Sequence, residues 1–333
     1  MTPLPMQPLG RTGMRLSAVG LGAWAMGGPG WEHSWGPQHD ADSIATIEHA
    51  VERGVNWVDT APIYGHGHSE EVVGRALAVL PAADRPYVFT KCGLWWDDTA
   101  PMAPPARDTS RIRQELEHSL ARLGVERIDL YQVHCPPFDI PVEDYWPTMV
   151  ALHAEGKVRA IGVSNFDNVQ LAQAEALGHV DSLQPPLSLL RRAAADAEIP
   201  WCAANGTGVI VYSPLESGLL SGTFDTNRAA SLPASDWRAT APEFTGFALR
   251  RNLALVDALR PIAARPGVGV AVVAIAWTLA QPGVTGAIVG ARRPTQVDGW
   301  VPAAGLALTD ADLAEIDAAI AARDGAAATD VGR

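Results

Sequence analysis

Apolar and polar positions along the chain fall into two alternating rhythms. Short apolar runs at 55–59, 87–91, 128–134, 158–163, 180–184, 209–212 and 287–289 read as buried strands, and a further run at 18–21 brings the count to eight. Between them, apolar residues recur at helical spacing. Asp42 is placed to cap a helix over 43–53 that stops at Gly54, and Ser69 one over 70–80. Helices over 110–123 and 143–155 stop at Gly124 and Gly156. A capped helix over 309–322 closes the pattern, with a frayed tail after it. Strand–helix alternation of this kind predicts an α/β fold, either an open doubly wound sheet or a closed (β/α)8 TIM barrel.

Nothing divides the chain. No Pro/Ser-rich linker interrupts it, and its 26 prolines are spread throughout, so residues 1–333 read as one barrel domain. The opening "MQPLGRTGMRLSAVG" predicts an N-terminal β-hairpin turning at Gly10–Gly13, and 217–244, with little periodicity, reads as a long mouth loop.

Composition narrows the function. With 47% hydrophobic and 19% charged residues the chain is globular, and a net charge of −12 argues against a nucleic-acid or anionic-membrane surface. No window approaches the ~20 apolar residues of a membrane helix, and no leader-type segment stands at the N-terminus. The three cysteines, Cys92, Cys135 and Cys202, lack metal-type spacing and read as reduced thiols of a cytoplasmic protein. A small molecule is the expected partner; oligomeric state is not legible.

"GLGAWA" (20–25) matches a dinucleotide fingerprint after a strand, but that motif works only where a helix starts on it. The continuation "MGGPGWEHSWGP" cannot start one, so these glycines are expected in a loop at a barrel mouth. Polar residues on apolar strands carry more. Asp59 shares a face with Val55 and Trp57, Lys91 with Tyr87 and Phe89, and His134 with Ile128, Leu130 and Gln132. Each stands at the C-terminal end of its strand, the end where barrel active sites form. Tyr64 lies in the loop after Asp59. Proton donation to a carbonyl fits this set. A lysine ~4 Å from a phenolate is worth about 4 kcal/mol at an effective dielectric of ~20, enough to lower a tyrosine pKa by up to roughly three units before burial opposes it.

"GVNWVDTAPIYGHGHSE", "TKCG", "LYQVHCP" and "GVSNF", in this order, resemble the successive signatures of the aldo-keto reductases over about residues 9–322. The resemblance implies a (β/α)8 barrel and a tetrad of Asp59, Tyr64 as proton donor, Lys91 and His134. It places the nicotinamide carboxamide against Ser164, Asn165 and Gln184, with Tyr212 under the ring. Ser213, Leu215 and Ser217 follow along the pyrophosphate, and Gly22, Ala23 and Trp24 near the ribose. Gly290, Arg292 and Gln296 match the adenosine-phosphate segment. Adjacent Arg292 and Arg293 in an acidic chain favour NADP(H) over NAD(H). The chain departs from the pattern at Gly299 and Trp300, where many members carry an adenine-contacting pair, and at Glu216 and Thr223 near the phosphates.

Eleven tryptophans, several in predicted mouth loops, suit an aromatic, polycyclic or sugar-like carbonyl or alcohol; Trp31, Trp95 and Trp96 are the candidates for contact. His33, His39, His66 and His68 do not complete a ligand set, and no metal is expected. Cys92 and Cys135, each following a tetrad residue, are expected to point away from the barrel interior. The leading expectation is a carbonyl reductase. The alternative, also implied by resemblance, is a cofactor-sensing regulatory subunit like the potassium-channel β subunits.

Overall fold

The eight apolar runs all become strands of one closed parallel barrel, in which each strand pairs with the next along the chain and the last with the first. The computed structural model describes residues 3–96, 108–137, 140–233 and 236–330, the last four without their side chains. The barrel strands are β3 (Val19–Gly22), β4 (Trp57–Asp59), β5 (Tyr87–Cys92), β6 (Leu130–Val133), β7 (Ile161–Ser164), β8 (Ser182–Gln184), β9 (Gly208–Val211) and β10 (Gly286–Gly290). Several are shorter than their apolar runs. Beyond the central belt only single bridges persist, Ile128 to Val158 at one end and Pro186 to Tyr212 at the other. The predicted hairpin is present as β1 (Met6–Pro8) and β2 (Arg15–Ser17).

Two apolar layers result. Trp57, Phe89, Leu130, Ala160, Ile210 and Ile288 fill the barrel interior, and Leu9, Met14 and Leu16 of the hairpin seal its N-terminal end. A second layer packs the outward strand residues against the surrounding helices. The polar strand residues lie at the opposite, C-terminal end.

The helices begin and end somewhat differently from the sequence pattern. α1 (Asp40–Glu52) starts after His39, which puts Asp42 in its first turn instead of at its cap. α2 (His68–Val79) likewise encloses Ser69. The Ser69 hydroxyl serves tertiary structure, donating to the Ala23 carbonyl at 2.8 Å and sharing a 2.9 Å hydrogen bond with Thr60. α3 (Ile112–Leu123) ends on Gly124 at φ 65°, as its αL preference predicts. α4 (Val142–Ala154) follows, then α5 (Asn168–Leu177), α6 (Ala193–Asp196), α7 (Glu198–Asn205), α8 (Thr226–Ala230), α9 (Gly246–Ala264), α10 (Val270–Leu279) and α11 (Pro294–Trp300). The last helix, α12 (Asp310–Asp330), is capped by reciprocal Thr309–Asp312 hydrogen bonds and runs beyond the expected 322.

The segment 217–244 is not a bare loop. Asp225 accepts from the Arg228 amide to start α8, and Asp236 accepts from the Arg238 amide to start a 3-10 turn. After β3 the chain makes only a 3-10 turn at Trp24–Gly27 and reaches α1 at Asp40, so no helix N-terminus stands on "GLGAWA". Among the described residues no helix is long and apolar enough to cross a membrane.

Candidate active site

Three strand ends and one loop converge at the C-terminal mouth. Asp59 is the last residue of β4, Lys91 the penultimate residue of β5, and His134 follows the end of β6. Tyr64 sits in the turns between β4 and α2, which are seated by a close backbone approach. A Cβ on Gly65, already at φ 64°, would come within 2.0 Å of the Gly27 carbonyl oxygen. This contact brings the Trp24–Gly27 turn over Tyr64, whose ring lies 5.8 Å from Trp24 at 11° and 6.0 Å from Trp31. His134 stands edge-on at 5.8 Å.

Lys91 is fully buried, yet its ammonium has three partners: Asp59 Oδ1 at 2.6 Å, the Thr60 carbonyl at 2.9 Å and, at a long 3.5 Å, Tyr64 Oη. Asp59 accepts on its second oxygen from Gln184 Nε2 at 2.8 Å. Here one expectation is corrected. The lysine does not lower the Tyr64 pKa, which is pushed well above the ordinary tyrosine value by burial and then by the Asp59 carboxylate. Asp59 neutralises much of the lysine's field, so the phenol keeps its proton.

Beside the tetrad lies an amide and hydroxyl cluster. Ser164 donates to the Gln184 carbonyl at 2.8 Å. Asn165, at φ 63°, donates to the His134 carbonyl and to Ser164 Oγ, each at 3.0 Å. Its Oδ1 accepts from Tyr212 Oη at 2.8 Å, which fixes the half-buried Tyr212 ring just past the end of β9. Side-chain amides, a hydroxyl and an aromatic face at one strand-end corner are the donor and acceptor chemistry that a nicotinamide carboxamide and its ring take up. The residues fit that group.

The remaining expected cofactor residues are spread along the mouth. Ser213 and Ser217 occupy αL turns at φ 58° and 52°, with half-buried Leu215 between them. Gly22 pairs with the exposed Gly290 across β3 and β10, while Ala23 is wholly buried and donates from its amide to the Asp59 carbonyl. Trp24 faces Tyr64. Gln296 is exposed and folds back on the chain, its Oε1 accepting from the Arg292 and Arg293 amides at the start of α11. Glu216, buried at φ 43°, accepts from Ser188 at 2.7 Å and pairs with Arg191 at 3.3 Å. Trp300 is buried and Thr223 exposed.

Sequence reasoning gave no partner for Arg292. Its guanidinium is engaged by the loop after β3, donating to Gln38 Oε1 at 2.8 Å, to the Trp35 carbonyl at 3.4 Å and to the Pro37 carbonyl. Arg238, missed altogether, lies 4.5 Å from the centre of the Trp35 ring and donates to the Ser217 carbonyl at 3.0 Å. These partners stand more than 200 positions apart from loop to arginine, a separation that no local pattern spans.

Of the proposed substrate residues, Trp31 reaches Tyr64 directly, Trp96 stacks on His66 at 5.2 Å, and Trp95 packs against Arg111 at 4.7 Å. Residues 97–107 lie outside the described residues. Cys92 points outward, its thiol 3.9 Å from Met149 Sδ between barrel and helices. Cys135 does not. Strand alternation ends before His134, and the Cys135 thiol lies 3.6 Å from Asn165 Nδ2 on the mouth side. His68 is held by Asp40 at 2.8 Å, and no group of three metal-binding side chains occurs among the described residues.

Residues 18–321 match the Aldo/keto reductase family. Over 307 residues the chain is 36% identical to an aldo-keto reductase of Bacillus subtilis (strain 168), covering 92% of this chain and 90% of that one. It is 36% identical over 317 residues to the NADH-specific methylglyoxal reductase of Escherichia coli (strain K12), covering 92% and 95%. Among solved structures, it superposes on the glycerol dehydrogenase from Gluconobacter oxydans with a TM-score of 0.86 at 38% identity over 95% of each chain.

Proposed function

Because the chain belongs to the aldo/keto reductase family, we propose that it reduces an aldehyde or ketone reversibly to the alcohol, with Tyr64 delivering the proton. A bound nicotinamide dinucleotide would supply the hydride, held by Ser164, Asn165, Gln184 and Tyr212. The observation that carries this reading is the Lys91 ammonium, which is buried and engaged by Asp59, Thr60 and Tyr64. Since Tyr64 Oη accepts from Lys91, the phenolic proton is left for a carbonyl oxygen seated at the mouth, with His134 orienting that oxygen. As the proton leaves, the Lys91 ammonium 3.5 Å away faces the growing phenolate, its field reduced by the Asp59 carboxylate 2.6 Å from it.

NADP(H) over NAD(H) is the finer reading, supported by exposed Arg293 beside Arg292 in a chain of net charge −12. With a relative named NADH-specific, the preference is expected to stay within about tenfold, or ~1.4 kcal/mol. For substrate, the wall of Trp24, Trp31 and the His66–Trp96 stack supports a flat or polyhydroxylated carbonyl compound. The relatives' names add small oxygenated compounds to the set worth assaying.

The test follows loss of NADPH or NADH absorbance with methylglyoxal, glyceraldehyde, aromatic aldehydes and polycyclic ketones. Tyr64→Phe is expected to lower kcat/KM by roughly 10²–10⁴ while nucleotide affinity holds. Nucleotide binding without turnover of any carbonyl would favour a cofactor-sensing regulatory role, and absence of nucleotide binding would sink the reading.

A further inference from the structure

We propose that Gln38 sets how strongly this site prefers a 2'-phosphorylated dinucleotide, by occupying Arg292; the inference rests on the nicotinamide reading above. A guanidinium grips a phosphate best through one edge of two parallel N–H donors. In Arg292 the Nε–Nη2 edge is taken by Gln38 Oε1 and the Pro37 carbonyl, and Nη1 on the other edge faces the Trp35 carbonyl at 3.4 Å. Neither edge is left whole for a phosphate.

Gln38 is the centre of this arrangement. Its Oε1 takes Arg292 Nε at 2.8 Å, while its Nε2 donates to the Arg292 carbonyl at 2.9 Å and to Ser43 Oγ in the first turn of α1 at 3.0 Å. One side chain thus ties both ends of the arginine to the loop after β3. On the other side of Trp35, Arg238 lies over the ring and is paired with Asp236 at 2.6 Å. Arg292 therefore contributes positive charge to the corner but few free donors, and a 2'-phosphate has to compete with the loop for them. NAD(H), lacking that phosphate, is indifferent to the competition. Gln38 is a positioning residue for discrimination, outside the tetrad and the carboxamide cluster.

The test measures NADPH and NADH dissociation constants on the full chain by quenching of tryptophan fluorescence. Gln38→Leu removes all three side-chain hydrogen bonds and frees Arg292 Nε. The NADPH constant is expected to fall roughly three- to tenfold, with the NADH constant unchanged, the size of one ordinary net hydrogen bond. Gln38→Glu keeps the shape, holds Arg292 more tightly and repels the phosphate, so NADPH affinity is expected to drop by a similar factor. If one variant fails to fold, the other decides. A ratio within twofold of the wild type, or shifted in the same direction by both variants, overturns the inference alone. A wild-type chain that binds neither nucleotide overturns the nicotinamide reading and this inference with it.

Discussion

At the scale of single residues, the candidate site was legible because it breaks a rule. A lysine and an aspartate on the inward faces of apolar strands make no sense for folding alone, and the structure pairs them at side-chain exposures of only 1% and 4%. A buried ion pair is costly to break, since removing one partner strands the other charge in a low dielectric. Asp59→Asn keeps an acceptor for Lys91 but removes its counter-charge, so it is expected to cost about 3 kcal/mol of stability, read from urea unfolding. Asp59→Asn paired with Lys91→Met should cost less than the sum of the single changes, and additivity within ~0.5 kcal/mol would show that the pair contributes nothing as a unit. What was not legible at this scale is partnership. Alternation along β5 placed the Lys91 side chain inward, but nothing in the sequence said that Asp59 would shield Tyr64 from it, or that Gln38 would claim Arg292.

At the scale of elements, strands and glycine-stopped helices were readable because their signals are local. The failures were also physical. Helix α10, "VAVVAIAWTL", is apolar on every side because it is buried against neighbours all round; with no polar face it has no 3.6-residue rhythm to detect. The junction of β5 and α3 hides a different device. Glu115 of α3 is buried with one oxygen accepting from the Gly93 amide at 2.8 Å, and its other oxygen has no hydrogen-bond partner among the described residues. Burial pushes its pKa up to about 7, with Asp108 adding and the Gly93 amide, Arg111 and Arg122 opposing. The folded chain therefore binds this proton more tightly than the unfolded one, whose value is near 4.5. Stability from this group is full below about 4.5 and is lost as pH rises through about 7. The difference corresponds to a ceiling of about 3 kcal/mol. Glu115→Gln, which carries no charge to bury, is expected to raise Tm at pH 8 and leave it nearly unchanged at pH 5. An equal shift at both pH values would tie the effect to packing instead of titration.

At the scale of the whole molecule, the barrel separates its apolar filling from the candidate site along its axis. The closed order of eight strands follows from the alternation of elements, but the filling of the barrel does not. The fingerprint-like "GLGAWA" is explained only here: a Cβ on Gly20 would lie 2.1–2.4 Å from the Trp57 indole. That ring fills the interior, fully buried, and donates from Nε1 to the Ser17 carbonyl at 2.8 Å. Gly20 is thus a packing residue that looks like a binding one, and only the position of a tryptophan 37 residues away tells the two apart. Because Trp57 is hemmed in by Phe89 at 5.4 Å and has no room to yield, Gly20→Ala is expected to cost about 2–3 kcal/mol through overpacking. In a Trp57→Leu background the same change should cost much less, since the indole is what it strikes. Below its lowered Tm the Gly20→Ala chain should still bind nucleotide within twofold of the wild type, because the mouth residues hang from strand ends on the far side of this layer. A loss of nucleotide affinity as large as the loss of stability would mean that filling and mouth are one mechanical unit, and that the division of labour along the barrel axis is wrong.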